Sequence, residues 1–207
     1  SVESDAYISI GLNSNFGTSG IGQESVAVGV RTLSTGISAI AIGADAKSTT
    51  LGSITIGDSA GNSTGIKGNR YISIGLNSNS GSNSIGANSI AIGNNTISVG
   101  DGSIAIGDGV QLTDAGGSIS IGQTSTALGG SGISLGANSA STTQSISIGV
   151  GVSTSVSSIS IGHLSSNTTG SKGLQYVSIG SFTNNGTTAI GQLSTTIGVF
   201  SKATDLY

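Results

Sequence analysis

The chain has 207 residues, 36 of them Gly and 41 Ser, with a net charge of -3, a pI near 4.7 and a mean hydropathy of +0.24. Cys, Met, Trp and Pro are absent and only 7% of residues are charged, which excludes disulfides, Cys-based metal sites, a thiol nucleophile and a self-repelling disordered chain. No basic run is long enough to follow a phosphate backbone, so nucleic acid is not an expected partner. The longest apolar stretches, such as Ile40-Ala41-Ile42, are far too short to cross a bilayer, so no membrane insertion by this segment is expected.

An aliphatic-small-aliphatic-Gly motif runs through the chain and ends at Gly11, Gly29, Gly43, Gly57, Gly75, Gly93, Gly107, Gly122, Gly136, Gly149, Gly162, Gly180 and Gly198. The residue before each glycine is Ile, Val or Leu. The residue three before is Ile or Val everywhere except Thr195. Between them stand only Ser, Ala or Thr, from Ser9, Ala27, Ala41 and Thr55 through Ser73, Ala91 and Ala105 to Ser178 and Thr196. Alternation with period two predicts a short strand at each motif, with one aliphatic and one small-residue face.

Successive motifs are 13 to 18 residues apart, too short for a helical repeat and suited to one turn of a solenoid. From Gly29 onward, a second small residue sits seven before each motif glycine: Gly22, Gly36, Thr50, Gly68, Gly86, Gly100, Ala115, Gly129, Thr142, Ser155, Gly173 and Gly191. Each coil therefore divides into two halves, and all length variation falls in the first half. Five first halves are enlarged, in two types. One carries Leu12-Asn13-Ser14-Asn15-Phe16-Gly17, Leu76-Asn77-Ser78-Asn79-Ser80-Gly81 and, more loosely, Ser181-Phe182-Thr183-Asn184-Asn185-Gly186. The other ends Thr64-Gly65-Ile66-Lys67-Gly68 or Thr169-Gly170-Ser171-Lys172-Gly173. The fold expected is all-β: one repeat domain over 1–207, a single-stack parallel β-roll or β-solenoid of about 12 short coils at ~4.8 Å per coil. The pattern reads as a segment of a longer repetitive fibre, and the missing Met as a mature or excised piece.

A thin coil of this kind is expected to hold its two Ile inside and to present the Ser/Ala/Thr face outward. Thirteen small residues in register, with no Lys, Glu or Gln among them, then read as the surface where another sheet approaches closely. On that reading Lys at Ala91 and Ala105 disrupts assembly.

The stretches Ser89-Ile90-Ala91-Ile92-Gly93, Gly43-Ala44-Asp45-Ala46-Lys47-Ser48 and Gly198-Val199-Phe200-Ser201-Lys202-Ala203 resemble the YadA-like head repeats of trimeric autotransporter adhesins. The resemblance covers almost the whole chain. It implies a left-handed parallel β-roll, three identical chains in one stalk-borne fibre, display outside the cell on the outer membrane, a role in virulence, and adhesion to host-cell, matrix or glycan receptors. The chain departs from that pattern in its 18-residue coils, and the residues after Gly198 are not expected to form a coiled-coil stalk, a membrane anchor or a neck. Two alternatives fit the same repeats: a receptor-binding segment of a bacteriophage tail fibre, displayed on a virion, and a purely architectural extracellular filament.

The residues give no basis for an enzyme, a cofactor or a metal site. His163, the only His, follows Gly162 at a register filled elsewhere by Leu12, Asp58, Asp108, Gln123 and Ser181, which marks a solvent-facing turn. The Ser residues occupy repeat positions and none lies in a nucleophile elbow. Asp58 and Asp108 follow motif glycines and Asp101 follows Gly100, but a calcium-binding roll needs Asp in successive turns. Four before the motif glycine, where Ser is usual, stand Tyr7, Tyr71 and Tyr176, each able to cover an enlarged loop or to offer a ring with a polar tip to a ligand. The ligand-binding candidates are Phe16, Arg70, Tyr71, His163, Tyr176 and Phe182, all expected on the insertion edge, where loops can vary without disturbing the stack.

Overall fold

The computed structural model describes residues 6–16, 21–63, 65–82, 84–112, 116–166, 171–172, 174–186 and 189–203. Gly17, Thr64, Ala115, Thr169, Gly170 and Gly173 of the expected turns lie outside them. Every element among the described residues is a β-strand. The chain forms two compact units, Ser1–Gly109 and Val110–Tyr207.

In the first unit the motifs form β1 (Ile8–Ile10), β2 (Val26–Val28), β4 (Ile40–Ile42), β6 (Ile54–Ile56), β8 (Ile72–Ile74), β10 (Ile90–Ile92) and β12 (Ile104–Ile106). They pair in parallel in that order. The register sets like on like: Ile40 faces Ile54, Ala41 faces Thr55 and Ile42 faces Ile56. The first halves give two-residue strands, β3 (Leu33–Ser34), β5 (Lys47–Ser48), β7 (Ile66–Lys67), β9 (Ser84–Ile85) and β11 (Ile97–Ser98), with β3 beside β5 and β7 beside β9.

The second unit repeats the plan. Its motif strands are β14 (Ile119–Ile121), β16 (Ile133–Leu135), β18 (Ile146–Ile148), β19 (Ile159–Ile161), β21 (Val177–Ile179) and β23 (Thr195–Ile197), again parallel and in order. The short strands β13 (Gln111–Leu112), β15 (Thr126–Ala127) and β17 (Ala140–Ser141) form one ladder, and β20 (Ser171–Lys172) pairs with β22 (Ala189–Ile190). Counted over both units, the chain makes about twelve turns of parallel β-solenoid.

The motif glycines stack one on the next, and the stacking explains why nothing else stands there. Gly93 has φ +134°, and a Cβ on it would lie 1.8 Å from the carbonyl oxygen of Gly107 in the following coil. That φ is open only to glycine.

The faces of the strands are reversed from the sequence expectation. The small residues point inward: Ala27, Ala41, Thr55, Ser73, Ala91 and Ala105 in the first unit, and Ser120, Ser134, Ser147, Ser160 and Ser178 in the second, are all fully buried. The flanking aliphatics look outward, with Ile42 37% and Ile121 38% exposed. The reason is the narrowness of the coil. Each short coil directs four side chains inward, as Ala39, Ala41, Ala46 and Ser48 around Gly43, or Ser89, Ala91, Thr96 and Ser98 around Gly93. Small side chains fill most of that space, and only single larger ones such as Val110 and Leu112 enter it. Burial follows size here, since an apolar side chain is free to remain at the surface. The small-residue face is therefore the interior of each coil, and Lys at Ala91 or Ala105 would strike the fold itself.

A core of hydroxyls is stable when nearly all of them are paired, and Ser141 Oγ is a buried exception. Ser48 Oγ donates to the Ser53 carbonyl at 2.9 Å, and the Ser98 and Ser103 hydroxyls lie 2.6 Å apart. In the second unit a chain of buried hydroxyls crosses several coils: Ser120 meets Ser125 (2.8 Å), Ser125 donates to Ser134 (3.0 Å), Ser134 to Ser139 (2.9 Å) and Ser139 to Ser147 (3.0 Å).

The enlarged coils keep the stack in register through a buried Asn. Asn79, at φ +52°, donates its backbone N–H to the Thr96 carbonyl, accepts from Ser98 N at 2.7 Å and donates Nδ2 to Ser73 Oγ at 2.7 Å. Asn15 and Asn184 repeat the device, accepting from Ser34 N (2.7 Å) and Ala203 N (2.8 Å). Asn suits the role because it tolerates the left-handed region and its amide supplies both donor and acceptor.

Candidate functional site

Tyr71 and Tyr176 occupy the inward register four before their glycines and are fully buried. Tyr71 OH donates to the Lys47 carbonyl at 3.0 Å, while Tyr176 OH donates to the Ser153 carbonyl at 3.3 Å and accepts from Ser155 N at 3.3 Å. Burial pushes both phenol pKa values up. The rings fill widened coils, and neither offers a face to a ligand, which corrects their assignment to the outer edge. Arg70 is exposed at φ +57° in the turn before β8. Phe16 lies in a turn that follows a motif strand, so a strand separates that edge from the turn of Arg70 and the two are not brought together.

In the second unit His163 and Phe182 do meet. They pack edge to face with centroids 5.1 Å apart, and Phe182 stacks on Phe200 at 5.0 Å with 13° between the planes. His163 is exposed, Phe182 half-buried and Phe200 68% exposed. Sequence reasoning missed Phe200 as a partner, although it stands two after Gly198 as Phe182 stands two after Gly180; the shared register was the available signal.

In the first unit Phe16, 80% exposed, forms one wall of a cleft of about 420 Å3, with Asn13, Arg31, Thr32, Leu33, Asp45 and Lys47 lining the rest. The enlarged half-coil around Asn13 and Phe16 brings the ring beside the outward-facing Leu33 and Lys47 of β3 and β5, whose neighbours Ser34 and Ser48 point inward. Arg31 and Asp45 stand two after Gly29 and Gly43 and so fall in line. They form a two-pronged pair, Nε to Oδ1 at 2.7 Å and Nη2 to Oδ2 at 2.5 Å. Their mutual hydrogen bond holds the Asp45 carboxyl below its usual range and raises Arg31. Lys47 Nζ donates to Asn62 Oδ1 at 2.7 Å, and Lys67 Nζ to the Gly61 carbonyl at 2.7 Å. Burial, and then the charge of Lys47, lower Lys67 to about 8. Arg31, Asp45 and Lys47 were not among the candidates, though opposite charges in one register 14 residues apart carried the signal.

Among the described residues no group of three or more His, Cys, Asp or Glu could hold a metal ion. What these surfaces can do is bind: an apolar sheet face, a row of rings, and a cleft that combines a ring, a carboxylate and two cations. No helix among the described residues is long and apolar enough to cross a membrane.

No curated protein sequence matches the chain. The model of the YadA head domain repeat matches residues 21–46, 34–60 and 84–109, stretches that hold Arg31, Leu33, Asp45 and Lys47 of the cleft and the β10–β12 pairing. With outward aliphatics, inward small residues and a glycine closing each motif, the chain carries YadA-like head repeats.

Proposed function

We propose that the chain is a non-enzymatic module of a homotrimeric adhesive fibre displayed outside the cell. The observation that carries this reading is the outward Ile ladder. Aliphatic side chains repeat in two columns along the motif strands, and several stay more than a third exposed, Ile42 and Ile121 among them. Within each unit, a contiguous apolar face on a water-exposed protein marks an interaction surface. Its match along the chain, like on like, suits identical partners. The YadA-like head repeats support the same reading, since such heads are adhesion modules that typically form trimers.

Three chains packed by their Ile faces leave the turns and the outer faces of the short strands open. Host-cell, matrix or glycan receptors are proposed to be met there, by Phe16, Arg70, His163 and Phe182, on cells that display the fibre at the outer surface. Light scattering of the purified chain tests the assembly: a trimeric mass is expected, and Ile42→Asp with Ile121→Asp is expected to give a folded chain of monomeric mass that no longer holds cells or matrix. A monomeric wild type, or a double variant that assembles normally, overturns the reading.

A further inference from the structure

We propose that the cleft beside Phe16 is a binding site for a pyranose that carries one carboxylate, the acidic sugar unit of a surface glycan. The inference rests on the adhesive reading above and supplies its ligand class. The cleft, at about 420 Å3, falls within the usual range for small-molecule sites. Phe16 leaves 80% of its surface in water, and beside the apolar side chain of Leu33 its ring provides the negative face that the partly positive C–H edge of a sugar stacks on.

The polar groups select the charge. Arg31 and Lys47 bring two positive charges and Asp45 one negative, so the lining is net +1 in a chain of net -3. Arg31 commits Nε and Nη2 to Asp45, which leaves Nη1 available, and Lys47 commits one ammonium proton to Asn62 Oδ1 and keeps two. The field of Lys47 reaches both Lys67 and Asp45, whose pKa values it helps to lower. One carboxylate balances that excess, while Asn13 and the remaining lone pairs of Asp45 serve the sugar hydroxyls. Leu33 and Lys47 face outward from the short strands, on the side of the coil away from the Ile face, so the site stays open when Ile faces pack together.

The test titrates the intact protein with 3′-sialyllactose, glucuronic acid, lactose and inorganic sulfate, following binding by calorimetry and by NMR of the lysine side chains. Sialyllactose or glucuronic acid is expected to bind and to shift the Lys47 and Lys67 signals; the stronger of the two names the source of the carboxylate. Lactose is expected to bind at least about tenfold more weakly, and Phe16→Ala and Lys47→Gln each to weaken the acidic sugar by about tenfold or more, the first by loss of the stacked ring and the second by loss of a charge-assisted contact. Lys202→Gln, an exposed charge loss in the second unit, is the control and leaves binding unchanged. Circular dichroism checks that the variants remain folded. Equal binding of lactose, unchanged binding by Phe16→Ala, or full displacement by equimolar sulfate overturns the proposal. Cell adhesion without binding of either acidic sugar sinks the cleft reading and leaves the adhesive one standing; a chain that neither assembles, adheres nor binds sinks both.

Discussion

Replacing Gly93 by Ala and, separately, Gly81 by Ala measures how closely the coils stack. Both glycines have positive φ, +134° and +67°. They differ in what a methyl group would meet. At Gly81 nothing lies within 4 Å, and φ +67° is the ordinary left-handed region, so Ala costs about 1 kcal/mol there. At Gly93 the conformation itself costs about 1–3 kcal/mol for a non-glycine residue. The new Cβ would also sit 1.8 Å from the Gly107 oxygen and 2.9 Å from Thr96 Oγ1, so the coils must part. Parting weakens the Gly107 N–H bond to the Ile92 carbonyl (2.9 Å) and the Thr96 hydroxyl bond to the Gly107 carbonyl (2.8 Å), each worth about 1 kcal/mol. The loss at Gly93 is therefore on the order of 3–5 kcal/mol, at least about 2 kcal/mol more than at Gly81. Urea unfolding followed by circular dichroism, at one fixed chain concentration, reads the difference. Equal losses at the two sites would refute the stacking argument.

Four further outcomes follow from the inverted faces and the buried groups. Ala91→Lys places a charge in the closed interior and is expected to cost more than about 3 kcal/mol, whereas Ile42→Lys leaves the coil folded and blocks association; native circular dichroism for Ala91→Lys would contradict the inward assignment. Asn79→Ala removes partners from Ser98 N and Ser73 Oγ and is expected to lower stability by about 2–3 kcal/mol, measured in the same unfolding assay. For Lys67 the folded value of about 8 lies below the ordinary 10.5, so between these values the unfolded chain binds more protons and stability rises with pH; Lys67→Met is expected to flatten that rise. Tyr71 and Tyr176 act oppositely: their raised values give a contribution that is full below pH 10 and is lost as pH climbs through the folded values, visible as delayed phenolate absorbance that appears together with unfolding.

The repeat was legible because each coil states its own geometry. The aliphatic-small-aliphatic-Gly motif places a three-residue strand, and the in-register pairing of Ile40 with Ile54 or Ile90 with Ile104 follows from stacking identical motifs. His163 and Phe182 were found because they break the repeat at a turn. Tyr71 broke it too, but at the inward register, and a deviation in sequence does not say on which side of the backbone it lies.

Alternation with period two assigns residues to two faces and leaves open which face is inside. That choice belongs to the distance between the two half-coils, and an interior filled mostly by Ala, Ser and Thr, with a few larger side chains such as Val110, Leu112 and Tyr71, is a property of the closed coil. The same holds for the cleft: Phe16, Arg31 and Lys47 are up to 31 positions apart in sequence, and only the stacking of successive coils beneath an enlarged turn brings a ring, an ion pair and an ammonium to one surface. The chain order by itself determined strand, period and glycine column; the tertiary structure decided inside from outside, because burial is settled by the space between layers.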